Sequence, residues 1–322
     1  MKKTLIALAA VAAVSASYAQ VTLSGEFAYG YYTGTDSTKT SKSGLGIDTS
    51  LLNIKAGEDL GGGMRVDAAM SLSTAAGNGT AIGDNQSLTV TTPVMSVSLL
   101  TYKGGDFTTG AAGGATWYGL DGKVLGARSW RDAISVTLPL SAALSVTGAY
   151  LEPSNEIGEG GGTDGTTGQN LYSIGAKYSA GPLVVQGAYL PYNNAGGTDA
   201  SKVSATRFGA SYDMGVAKAG FGVQVVKLGA GSVLTETSVA ASAPLGANFS
   251  VNGQYSASNV NSSSTATAGV AGTRSGWMLG AQYNLSKRSY VILNNATWTG
   301  ASATTTDTNT SSMTALTLVH DF

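Results

Sequence analysis

Cysteine is absent from the 322 residues and histidine occurs once, which removes disulfides, thiol chemistry and any zinc site built from Cys or several His. Charge is scarce as well: Asp, Glu, Lys and Arg make up 11% of the chain, where soluble domains carry about 25%. So little charge requires a very large buried core or a surface that meets something other than water. With 45 glycines and abundant Ser and Thr, the first option fails. Neither sign dominates, since 18 Lys+Arg stand against 19 Asp+Glu, and a nucleic-acid partner, which needs a basic excess to displace phosphate counterions, is excluded.

Long apolar runs are missing too. The longest, Leu5 to Val14, has ten residues, too few for a membrane helix, which takes about 20. It follows Lys2 and Lys3 and precedes the small-residue segment Ser17-Tyr18-Ala19, the layout of a cleaved export signal, with cleavage predicted before Gln20. Residues 1–19 are thus read as a signal peptide and 20–322 as one domain. Export through an oxidising compartment fits the lack of thiols.

What the mature chain does have is period-two alternation. Val21, Leu23, Phe27, Tyr29 and Tyr31 interleave with polar or small residues; so do Tyr172, Ile174 and Tyr178, then Phe221, Val223 and Val225, then Trp277, Leu279 and Tyr283. Strands are predicted to start near Val21, Thr49, Met64, Ser87, Ser96, Arg128, Ala143, Leu171, Pro182, Ala205, Ala217, Val233, Ala247, Gly276, Ser289 and Met313. That is sixteen, with fourteen and eighteen inside the counting error of such boundaries. Connections alternate between short turns (Ala180-Gly181-Pro182, Met214-Gly215, Leu285-Ser286-Lys287) and long polar loops (Gly104 to Ala127, Glu152 to Asn170, Ser258 to Thr273, Gly300 to Ser311). This asymmetry predicts an all-β fold, a transmembrane antiparallel β-barrel with short periplasmic turns and long outer loops. A secreted sandwich or β-helix shares the alternation but gives no reason for the asymmetry.

Charge parity tests the barrel, because Lys or Arg facing lipid at mid-bilayer costs roughly 2–4 kcal/mol. Lys55, Arg65, Asp67, Lys177, Arg207, Lys218 and Glu236 all fall on the polar parity; Asp132 and Lys227 do not, but both adjoin outer loops. Tyr178, Tyr212 and Tyr283 at short-turn ends, with Trp130 and Trp298 near long-loop ends, are expected in two interfacial girdles.

The chain ends Leu316-Thr317-Leu318-Val319-His320-Asp321-Phe322, an amphipathic strand closing on an aromatic. This ending resembles the C-terminal assembly signal of outer-membrane proteins, and His320 before Phe322 is similar to the endings of betaproteobacterial porins. Glu58 to Met64 resembles the first periplasmic turn of that family, Leu285-Ser286-Lys287-Arg288-Ser289 a late turn, and Val21 to Gly25 the opening strand. The resemblance implies a general, non-specific Gram-negative outer-membrane porin: sixteen strands, a homotrimer, a bilayer of lipid and lipopolysaccharide around it, and a third outer loop folded into the lumen. On that pattern the loop is Gly104 to Ala127, with Asp106, Asp121 and Lys123 opposed by wall residues such as Arg65, Arg128 and Arg131. Lys103, Asp67, Lys177 and Arg207 complete the candidate constriction, and opposed charges there would filter polar solutes. The chain departs from the pattern in having Thr101-Tyr102-Lys103-Gly104 where a Gly-Arg-Gln element is usual, and Ser135 where an inward Arg is usual, with Arg131 four residues earlier.

Other chemistry finds little support. The Gly158 to Gly162 run precedes no helix and is no phosphate cradle; no Gly-x-Ser-x-Gly elbow exists, and the single His sits at the C-terminal edge. The expectation is passive diffusion of small hydrophilic solutes and ions, without cofactor, metal or catalysis. The rival readings are a barrel whose loops bind a surface partner, as an adhesin or phage receptor, and a barrel enzyme using rim carboxylates such as Asp164 or Glu159.

Overall fold

The computed structural model describes residues 20–36, 39–73, 82–104, 108, 120, 123–126, 129–153, 170–193, 202–261, 274–299 and 310–322. Sixteen strands succeed one another: β1 Gln20–Thr35, β2 Ser41–Gly61, β3 Met64–Ser73, β4 Ile82–Thr91, β5 Ser96–Gly104, β6 Ser129–Pro139, β7 Leu144–Pro153 and β8 Leu171–Ala180. They continue as β9 Leu183–Pro191, β10 Lys202–Asp213, β11 Lys218–Leu228, β12 Val233–Pro244, β13 Phe249–Asn261, β14 Arg274–Asn284, β15 Ser289–Thr299 and β16 Thr310–Asp321. Every strand pairs antiparallel with its sequence neighbours, and β1 pairs with β16, so the sheet closes and leaves no edge. The sixteen-strand reading holds; only β2 and β4 begin more than three residues from where alternation placed them.

The barrel is inside out by the standards of a water-soluble protein. Apolar side chains such as Ile174 (61% exposed) and Leu279 (59%) cover the outside, while Ser256 (0%), Thr317 (1%) and Asn294 (2%) are covered on the inside. An apolar exterior and a polar interior are what a wall between lipid and an aqueous lumen demands. Parity along the strands produces this division directly, because successive side chains point to opposite faces. Lys55, Arg65, Asp67, Lys177, Arg207 and Glu236 take the inner face, in register with inner residues of the neighbouring strands. Tyr178, Tyr212 and Tyr283 are exposed on the outside near the short turns. Trp298 is a correction: it faces inward, packed against a buried cluster in the lumen, and is no part of a girdle.

Local chemistry fixes the short turns. Gly61, Gly62, Gly63, Gly181, Gly215 and Gly246 have φ between +54° and +106°, a region that costs residues with a Cβ. Side chains next to the turns cap the exposed amides: Asp59 Oδ1 accepts from the Gly61 N–H, Asp213 Oδ1 from the Gly215 N–H, and Ser286 Oγ from the Arg288 and Ser289 N–H groups. At the closing seam, the Gly25 N–H donates to the Phe322 carbonyl at 2.9 Å and the Phe322 N–H donates back at 3.0 Å. His320 lies at that periplasmic rim, its Nδ1 2.9 Å from Ser289 Oγ.

Candidate functional site

The segment joining β5 to β6 begins and ends on one side of the ring, yet its described residues touch the other. In a sixteen-strand ring, β14 stands eight strands from β6, diametrically across the lumen. Leu120, Val124 and Leu125 are buried there against Met278 of β14 and Ala296 of β15, with Trp298 alongside. Lys123 Nζ sits 5.2 Å from the Trp298 ring centroid, a cation–π contact. Thr108 lies against β11, so close to Gly222 that a Cβ there would come 2.8 Å from the Thr108 Cα and nearer still to its carbonyl oxygen. Only glycine admits that approach. The described residues of the loop therefore lie inside the lumen.

A polar relay fastens the loop's return. Glu236 on β12 accepts from the Gly126 N–H through Oε1 at 2.6 Å and from Gln224 Nε2 through Oε2 at 2.7 Å. Gln224 on β11 in turn accepts from Arg207 Nε at 2.5 Å. Both carboxylate oxygens of this buried side chain thus have donors, which offsets the cost of taking them out of water. Arg131 of β6 is also buried, and it lines the same recess as Arg207, Gln224, Glu236 and Gly126. Ser135 shares the inner face with Arg131, four residues nearer the periplasm.

The candidate residues separate by position. Arg207, Arg131 and Lys123 gather at the loop and its anchors. Arg65 and Asp67 do not: they pair with each other at 2.8 Å, on the inner face just above the Gly61–Gly63 turn, at the periplasmic mouth. Lys177 is inward but near the next short turns, in register with Ser145 and Gln186. Lys103 is a correction: it shares parity with exposed Leu99 and with Trp130 across the ladder, which is the outer face. Asp132, also outward, accepts a 2.5 Å hydrogen bond from Thr101 Oγ1. Asp106, Asp121 and Arg128 lie outside the described residues. Glu236, Gln224, Gly222 and Trp298, which hold the loop, were absent from the candidate set. The one signal for them was a lone inner-face carboxylate in β12, together with Leu120, Val124 and Leu125 in an otherwise Gly-rich loop.

A closed sixteen-strand barrel, apolar outside, polar inside and narrowed by an inserted loop, defines a membrane channel: eight strands would be filled by side chains, sixteen leave an aqueous passage. The chain belongs to the Gram-negative porin family, whose pattern it matches over residues 4–297. It is an outer-membrane porin, a water-filled channel for passive diffusion of solutes. Among solved structures it is similar to an anion-selective porin from Comamonas acidovorans, at 20% identity over 94% of this chain and 100% of that one, with a TM-score of 0.72. It is also similar to a loop-deletion mutant of OmpT, an outer membrane protein of Vibrio cholerae (15%, 95% and 100%, TM-score 0.67). A triple mutant of the Rhodopseudomonas blastica porin gives 14% identity, 94% and 100% coverage and a TM-score of 0.61. No curated protein matches the chain.

Proposed function

We propose that this porin is a general diffusion pore whose passage is narrowed by the inserted loop, with Arg131 and Arg207 on the wall and Lys123 at the loop's β15 anchor as charges lining the narrowed region. The fastening of the loop across the lumen, through Glu236, Gly222 and the Leu120 cluster, carries this reading. Arg65, Asp67 and Lys177 act at the periplasmic mouth, and Asp106, Asp121 and Arg128 belong to the constriction. Transport is down the gradient, no bond is made or broken, and no cofactor takes part. The protein is exported, loses residues 1–19 before Gln20 and assembles as a homotrimer amid outer-membrane lipid and lipopolysaccharide. His320 and Phe322 serve as its assembly signal. The C-terminal carbonyl and amide in the β1–β16 seam support that role.

Single-channel recording in planar bilayers tests the whole reading. Stepwise openings in groups of three, with a reversal potential under a salt gradient, are the expected outcome. A folded sample that passes no current overturns it.

A further inference from the structure

The lipid-facing wall is uneven in relief. On β11 to β14, Phe221, Val239, Tyr255 and Trp277 stand side by side across the ladder, all outward and exposed. The next outward row toward the periplasm is small: Ala219, Ala241 and Gly253 are in register there, and Ala243, Val251 and Ala281 follow below. Ala241, Ala243, Val251 and Gly253, with Ala217 and Leu279, outline an open depression of about 420 Å³. Ser242, Asn252 and Gly280 also border it but belong to the inner parity, so the outward side chains around it are apolar. Its depth along the membrane is limited. From Leu279, at the middle of β14, to Leu285 the chain advances six residues, which at about 3.3 Å each and a tilt of about 40° is roughly 15 Å, half of the hydrocarbon core. The depression therefore belongs to the periplasmic leaflet.

At the periplasmic end of the same strand, the turn Leu285-Ser286-Lys287-Arg288 carries two exposed cations, whose side chains form no ion pair among the described residues. The neighbouring turns supply no competing charge on the outside. Residues 245–248, between β12 and β13, include none; Asp213, before the β10–β11 turn, accepts from the Gly215 N–H and takes the inner parity with Lys218. Asp321, whose backbone N–H donates to the Arg288 carbonyl, takes the inner parity with Glu26. Hydrocarbon gains little from an apolar surface beyond close packing, so the depression alone would accept any lipid chain. Lys287 and Arg288 add a preference for a phosphate that carries net negative charge. We propose that this depression holds an acyl chain of an anionic phospholipid of the periplasmic leaflet, with the lipid phosphate on Lys287 and Arg288. A second barrel would meet this wall through both leaflets, whereas the depression ends at mid-membrane beneath the Phe221–Trp277 row. The site ties one side of the barrel to the phospholipid leaflet, and the proposal rests on the outer-membrane porin reading above.

Because the chain has no cysteine, Val239→Cys on the rim of the depression gives a single thiol for a bimane fluorophore. The labelled full protein is placed in phosphatidylcholine vesicles containing a low fraction of phosphatidylglycerol or of phosphatidylcholine, brominated along the acyl chain to quench the label. Brominated phosphatidylglycerol is expected to quench at least threefold more than brominated phosphatidylcholine, with the difference shrinking at high salt. Adding Lys287→Gln/Arg288→Gln is expected to bring the two lipids level, and Ala241→Leu/Ala243→Leu, which fills the depression with outward apolar side chains, to do the same. Equal quenching in the Val239→Cys protein itself overturns the proposal without needing either variant to fold. Absent quenching by both lipids, together with cross-linking of Val239→Cys to a second copy by a bifunctional maleimide, overturns it in favour of a protein contact. Single-channel current is recorded in the same lipids. Current without lipid preference overturns the site alone, while lipid preference without current overturns the channel and leaves the site.

Discussion

Gly222 and Glu236 are small parts of the wall with large control over the passage. Gly222→Val puts a branched side chain where Thr108 now sits, so the loop must move toward the axis. Single-channel conductance is expected to fall, and an unchanged value would mean that the loop does not rest on β11 in the membrane. Glu236→Ala removes acceptors for Gly126 and Gln224, each a charge-assisted bond of about 1.5–3 kcal/mol. Its expected signature is a noisier, larger open current, with Glu236→Gln in between because it keeps one acceptor oxygen. These two residues were not legible as site residues in the sequence, since a loop from β5 gives no hint of which distant strand receives it. The inner face of Arg207 was legible because parity is a local property, whereas Arg131 came only from the family resemblance. Lys103 was misread where Leu99-Leu100 interrupts the alternation: Leu100 turns inward with Tyr102, and Lys103 turns out.

At the level of strands, alternation works as a signal because the two faces meet opposite solvents. Where the strands rise above the hydrocarbon the contrast fades, and so does legibility: β2 opens Ser41-Lys42-Ser43-Gly44 and β4 opens Ile82-Gly83-Asp84-Asn85, with little difference between faces, and both starts were placed too late. The same logic gives a paired prediction. Leu279→Arg, at the middle of β14 on the lipid side, is expected to lose about 2–4 kcal/mol of stability, measured by urea unfolding in lipid vesicles. Gln186→Arg, inward on β9, is expected to lose well under half as much. Equal losses would mean that the two faces are wrongly assigned.

Over the whole molecule, closure joins the first strand to the last, pairing residues as far apart in sequence as Glu26 and Asp321. Such long-range pairing is slow to form. Deleting Phe322 removes a pair of seam hydrogen bonds and is expected to lower the yield of folded barrel severalfold, read as the fraction with heat-sensitive mobility on gels. An unaltered fraction would separate the terminal residue from assembly. The described loop residues held at β11, β12 and β14 have a mechanical meaning as well. A wall one strand thick bends easily, and lateral pressure from the surrounding membrane would flatten an empty cylinder into an ellipse. Because the segment is covalently joined to β5 and β6 while Leu120, Val124 and Leu125 pack against β14 and β15, those contacts tie opposite parts of the wall together and resist that flattening.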